Sequence, residues 1–110
     1  MKTHAVQYAD GREGLSFRCE GCGGYHTVIV KGPGAWTWNG DTERPVFSPS
    51  VLVVGGNAEG ETRCHSFVGC NGAQPGEIIF LSDCTHALAS QVRPLPEWTW
   101  PPDLESQGEP

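Results

Sequence analysis

Apolar residues fall along this chain in short bursts separated by Gly, Pro and polar clusters, a rhythm of brief strands rather than long helices. Leu15–Arg18 reads as a short strand leading into Cys19-Glu20-Gly21-Cys22-Gly23-Gly24. Tyr25–Lys31 is strongly β, because Thr27, Val28, Ile29 and Val30 are all β-branched. After the Gly32-Pro33-Gly34 turn, Ala35–Asn39 carries alternating Trp36 and Trp38 on one face of a strand. Asn39-Gly40-Asp41 marks a further turn. Val46–Val54 predicts a longer strand bent at Pro49, which lacks a ladder N–H. Gly55–Glu61 reads as a polar loop, Arg63–Val68 as a strand, Gly69–Gly76 as a long connection, and Glu77–Leu81 as a strand. One short helix is expected near residues 84–91, with Asp83 as its N-cap. Met1–Gly14 is polar and ends in a turn around Gly11–Gly14, whereas the Pro-rich tail from Arg93 is expected to wrap over the body and fray after Asp103. The expected fold is mainly β (small α+β), a metal-stapled antiparallel domain. It spans residues 1–110 as a single domain, with an ordered core of about 15–100.

Composition sharpens this picture. Only 37% of the 110 residues are hydrophobic, against 15 Gly and 9 Pro, so the core is thin and a staple is expected. The first residues, MKTHAVQYADGREG, hold no apolar run of signal-peptide length, and five Cys is an odd number; both favour metal binding over a disulfide framework and a cytoplasmic location. Val51–Val54 and Ile78–Leu81, the longest apolar stretches, are too short to span a membrane. The net charge of −6 with scattered Lys and Arg argues against nucleic acid and for a basic or neutral protein partner.

Cys19-x-x-Cys22-Gly23-Gly24 is the strongest chemical signal. Two thiolates at this spacing can face one zinc ion from a tight turn, and the glycines free backbone N–H groups to turn toward sulfur. A redox pair would normally precede a helix, whereas here a β-branched strand follows. A tetrahedral structural site needs two further ligands, for which His26, Cys64, His65, Cys84 and His86 are candidates. Cys64 and His65 are adjacent on one strand and point to opposite faces, so both do not readily bind the same ion. Cys70, in the long connection, is a bystander. Ser48-Pro49-Ser50, with His65 or His86 and Asp83, offers the parts of a nucleophilic Ser–His–Asp arrangement, although Ser at a turn and Asp as a cap are the plainer readings. Trp36, Trp38, Trp98 and Trp100 can line a contact surface or simply pack the core.

Taken together, Phe17-x-Cys-x-x-Cys-Gly, His26, Trp36-x-Trp38-Asn39-Gly40-Asp41, Arg44-Pro45-x-Phe47-Ser48-Pro49-Ser50, Cys64-His65-Ser66-Phe67 and Asp83-Cys84-Thr85-His86-Ala87-Leu88-Ala89 resemble the BubE-type family. Its members are small phage and bacterial proteins, some from ubiquitination-like operons with E1-like, E2-like and ubiquitin-like components. The resemblance spans about residues 15–96. It implies a serine-protease-type enzyme that processes or deconjugates a ubiquitin-like protein, with Ser50 as nucleophile, His65 as base and Asp83 orienting it. Cys64 and His86 then join Cys19 and Cys22 on zinc; the swap, with His86 as base and His26 as fourth ligand, stays open. A non-catalytic zinc-ribbon-like binding module and a zinc-dependent hydrolase are the alternatives. Ser90 stands where the family has Gly, and the link from Phe67 to Ile78 is longer than usual.

Overall fold

Strand pairing in the computed structural model, which describes residues 1–98, divides the chain into two antiparallel sheets. The first has the order β1 (Thr3–Gln7), β2 (Glu13–Cys19), β3 (Gly24–Lys31). The second runs β4 (Thr37–Trp38), β5 (Phe47–Asn57), β6 (Gly60–Val68), β7 (Glu77–Phe80), β8 (Val92–Pro94). Every neighbour in both sheets is antiparallel, and within each sheet the strands lie side by side in the order in which they follow one another along the chain. The β2–β3 hairpin closes at Cys19↔Gly24, where Gly23 adopts φ 75° and its N–H returns to the Cys19 carbonyl at 2.9 Å. That φ is open to Gly at no steric cost, and it folds the Cys-x-x-Cys segment into a knuckle.

The two sheets share one core. Phe17 of β2 and Phe47 of β5 are fully buried, with ring centroids 6.1 Å apart, and Leu15, Val28, Val51, Val68, Ile78, Phe80 and Leu95 complete the cluster. Truncating either phenylalanine to Ala would cost about 3–5 kcal/mol. Trp36 and Trp38 pack half-buried against this core, as alternation along one face predicts.

Mainly β architecture is as expected, but the expected helix is not present: among the described residues there is no helix, and residues 82–90 form successive turns. The amides a helix would use are engaged elsewhere. Thr85 N–H bonds the Arg63 carbonyl at 2.9 Å and Ser90 N–H the Phe80 carbonyl at 2.9 Å, while Ser90 itself sits at φ 69°. Asp83 therefore caps nothing. Three further strand segments differ from the sequence reading. The polar first residues contribute β1, the polar loop 55–61 is the tip of the β5–β6 hairpin, and the tail supplies β8 before burying Leu95. Trp100 and the tail beyond Asp103 lie outside the described residues. No helix among the described residues is long and apolar enough to cross a membrane.

Candidate functional site

Pro49 does interrupt its strand. Phe47 pairs with Val68 and Val51 with Ser66, so three residues of β5, Ser48 to Ser50, oppose the single residue Phe67. This bulge re-aims the chain just before the ladder resumes. The Trp36 indole N–H donates to the Ser50 carbonyl at 3.1 Å and holds the bulge from its outer side. The Ser50 hydroxyl then lies 3.0 Å from His65 Nε2, and His65 Nδ1 lies 3.0 Å from Asp83 Oδ2. Asp83 reaches this position because the turn after β7 is tied to β6. Leu81 N–H donates to the His65 carbonyl at 2.8 Å, and the Cys84 thiol meets both the His65 N–H (3.3 Å) and its carbonyl (3.2 Å).

The direction of these bonds follows from the chemistry of the groups. A carboxylate only accepts, so Nδ1 donates to Asp83; Nε2 is then the bare nitrogen and accepts from the Ser50 hydroxyl. Asp83 is partly desolvated, which raises its pKa, but the His65 hydrogen bond, its own backbone N–H and the nearby positive charges of His65 and Arg63 outweigh this and hold the carboxyl below its ordinary value. Arg63 Nη1 stands 3.7 Å from Oδ2. Such a chain of groups can move a proton from a hydroxyl to imidazole as the oxygen attacks a carbonyl.

On the other face of β6, Cys64 joins Cys19, Cys22 and His86, whose ligand atoms all lie within 4.8 Å of one another. Cys19 and Cys64 are buried, with sulfurs 3.8 Å apart, and Cys22 N–H points at the Cys19 sulfur at 3.4 Å. The hydrogen bond from Cys64, helped by His26 and the Cys22 amide against burial, pulls the Cys19 thiol down to about 4. Burial and then the Cys19 charge push Cys22 up to about 11. The hydrogen bond to Cys19 and burial likewise raise Cys64. One thiolate thus suppresses its neighbours, and a cation in their midst is what would hold all of them ionised.

Two observations fit the cluster to a metal ion. His86 Nε2 is buried with no hydrogen-bond partner, and a Cβ on Gly21 would overlap the His86 ring, so the knuckle glycine leaves a cradle for the imidazole. His86 Nδ1 lies 3.2 Å from the Leu88 N–H. Ligation through Nε2 would place the ring proton on Nδ1. Three thiols and one imidazole form a donor set compatible with zinc.

The remaining candidates sort cleanly. Ser48 is exposed opposite Thr37, and it is the Ser50 hydroxyl that meets His65. His26 is buried on β3, edge-on to Phe17 at 5.7 Å; it neighbours Cys19 but is not one of the four clustered donors. Cys84 braces His65, and the Cys70 thiol donates to the Phe47 carbonyl at 3.5 Å. Trp98 stacks on His4 and leans on Tyr25, apart from the core packing of Trp36 and Trp38. The sequence alone did not point to the Trp36 bond to the Ser50 carbonyl, the Gly21 cradle, the Arg63 contact with Asp83 or the Cys84 brace. Only Gly21 carries a local signal, as the glycine within the knuckle.

Fold and site together define a class: a small antiparallel β protein that pairs a thiol–imidazole metal-binding cluster with a Ser–His–Asp hydrogen-bond chain. The family model of the bacterial ubiquitination-like system serine protease, BubE, matches residues 1–75, and the chain belongs to that family. Cys19, Cys22, Ser50, Cys64 and His65 lie within the matched span, whereas Asp83 and His86 lie beyond it. No curated protein and no solved structure matches the chain.

Proposed function

We propose that this protein is a serine-type hydrolase that releases a ubiquitin-like protein from a precursor or from its conjugates, with a structural zinc ion on Cys19, Cys22, Cys64 and His86. The observation that carries the reading is the pair of 3.0 Å hydrogen bonds linking Ser50, His65 and Asp83 in one line. Membership of a family described as a serine protease of a ubiquitination-like system supports the substrate class.

In this mechanism Ser50 Oγ attacks the carbonyl carbon that ends the ubiquitin-like chain, and its proton passes to His65 Nε2. Asp83 stabilises the imidazolium and fixes the ring. The proton then goes to the leaving amine or alcohol as its bond to the carbonyl carbon breaks, leaving an ester on Ser50. Water, deprotonated by His65, cleaves that ester and restores the hydroxyl. Zinc, when bound, holds the knuckle to β6 and the 83–86 turn. Four protein donors leave no open position for a substrate, which favours this reading over a zinc-dependent hydrolase.

The test is a fluorophosphonate reaction followed by intact-protein mass spectrometry. One adduct mapping to Ser50, absent in Ser50→Ala while zinc content and unfolding temperature are kept, is the expected result. A protein that binds a ubiquitin-like partner stably, yet takes no adduct, would instead be a non-catalytic binding module.

A further inference from the structure

Beyond Ser50 the outer edge of β5 is unpaired. Its neighbour β4 pairs only with Phe47 and Ser48, so from Val51 to Asn57 the described residues place no strand on that side. The orientation of the backbone along this edge can be worked out from β6. Arg63 N–H donates to Thr85 Oγ1 at 2.9 Å, the Arg63 carbonyl accepts from Thr85 N–H, and the His65 carbonyl accepts from Leu81 N–H. These groups point away from β5. Leu52↔His65 and Val54↔Arg63 are therefore non-hydrogen-bonded pairs of the antiparallel ladder. The N–H and C=O of Leu52 and Val54 accordingly face outward, and among the described residues they have no hydrogen-bond partner.

Side chains mark the same edge. Cross-strand partners share a face, so Leu52 and Val54 stand on the His65 side of the sheet. They are 49% and 50% exposed, an apolar pair at two-residue spacing leading away from the Ser50 hydroxyl. An open edge with exposed apolar side chains invites another strand, and proteins normally blunt such edges with charge, Pro or cover. Left open beside a nucleophile, it has the layout of a strand-addition site, in which main-chain bonds give affinity and alternate side chains give selectivity.

We propose that this edge receives the substrate as an added antiparallel strand. The occupant is an extended polypeptide segment on the amino side of the scissile bond, running from Val54 toward Leu52 and bringing its last carbonyl carbon to Ser50. The direction follows from the order of residues: β5 runs away from Ser50, so a segment that ends at Ser50 must run the opposite way. Every second residue of the segment bonds the outward groups of Leu52 and Val54 and lays its side chain over their apolar face. The inference rests on the serine-hydrolase reading and adds to it the conformation and backbone register of the substrate.

The test varies the probe and leaves the protein intact. Acetylated pentapeptides of alanine and valine ending in a diphenyl phosphonate are reacted with the full chain; Ser50 Oγ bonds phosphorus and one phenolate leaves. Expected is a labelling rate at least about tenfold above that of the acetyl phosphonate lacking the peptide, as one or two net hydrogen bonds supply. N-methylation at one alternate set of residues abolishes that advantage, and at the other set changes it by less than about twofold. No acceleration by the peptide, or an equal response at every position, overturns the edge proposal. So does sedimentation as a dimer in which Val54→Lys restores the monomer, which would assign the edge to a second copy. A simple alkyl fluorophosphonate separates the two levels: no adduct on Ser50 removes the hydrolase reading, whereas an adduct without backbone register removes only the edge.

Discussion

Cys64 and His65 are consecutive residues of β6 that belong to two different groups on opposite faces of the strand. The Cys64 sulfur sits 3.8 Å from that of Cys19, while His65 Nε2 sits 3.0 Å from the Ser50 hydroxyl. The 83–86 turn repeats the arrangement, since Asp83 bonds His65 and His86 joins the three cysteines. Two short covalent segments thus tie the cluster to the Ser–His–Asp chain. Whatever fixes the cluster also fixes the separation of β6 from the turn, and with it the angle at which His65 meets Asp83.

Metal removal tests that link. On the proposed assignment, extraction of zinc with a thiol-compatible chelator releases the knuckle, β6 and the 83–86 turn from one another. The expected outcome is a fall of more than about 10 °C in unfolding temperature, from the loss of several kcal/mol of metal-linked folding energy. The rate of fluorophosphonate labelling at Ser50 should fall with it, and added zinc should restore both. Full labelling in a demonstrably zinc-free protein would show the two groups to be independent.

Asp83→Asn keeps the shape of the side chain but can present an N–H to His65 Nδ1, which then carries its lone pair there and its proton on Nε2. The Ser50 hydroxyl loses its acceptor. On the proposed mechanism the expected drop in kcat is about four orders of magnitude, the size of effect this substitution has in established Ser–His–Asp enzymes. Unfolding temperature should change little, because Asp83 is an exposed residue. The pH dependence has a defined sign. Asp83 is held below 3.8, so its contribution to folding is complete above that pH and is lost only as pH falls through the depressed native value. The midpoint of the Asp83 titration read by carboxyl NMR should lie below the ordinary value of 3.8; an ordinary or raised value would mean that the bond to His65 does not form in solution.

Some of this was legible along the chain and some was not, for physical reasons. The knuckle was legible because Cys19, Cys22 and their glycines are local. The opposed faces of Cys64 and His65 followed from the two-residue period of a strand. The interruption at Pro49 followed from its missing N–H. The false helix at 84–91 had acceptable local propensity, but Thr85 and Ser90 spend their amides on Arg63 and Phe80, partners distant in sequence. Strand β1 was hidden because its residues are mostly polar, and β8 because Pro94 lies within it. The meeting of Ser50 with His65 depends on how many residues the bulge absorbs, which no local pattern records. The resemblance to a family, rather than spacing, is what singled out Ser50, His65 and Asp83.

Gly21→Ala probes the cradle under His86. A Cβ there would lie 2.5 Å from Nε2 and 2.6 Å from Nδ1 of the ring, far inside van der Waals contact, so the imidazole must leave the cluster or the knuckle must open. An overpacked site of this kind costs about 1–3 kcal/mol, and zinc affinity measured by competition with a chromogenic chelator should fall by at least about tenfold. Gly24→Ala, where an added Cβ meets nothing within 4 Å, serves as the control and should change affinity by less than twofold, about 0.4 kcal/mol. Equal behaviour of the two variants would remove His86 from the ligand set.

Trp36→Phe removes a single hydrogen bond while keeping an aromatic ring against the core. The indole N–H that holds the Ser50 carbonyl at 3.1 Å is lost, and the bulge loses its outer restraint. The net worth of such a bond is about 0.5–1.5 kcal/mol, so stability should fall only modestly. Its effect on reactivity should be larger, because displacing a nucleophile by about 1 Å can cost about a hundredfold. The expected signature is a fluorophosphonate labelling rate lowered by at least about tenfold at unchanged zinc content. If labelling falls only in proportion to stability, Trp36 is a packing residue and the bulge holds Ser50 without it.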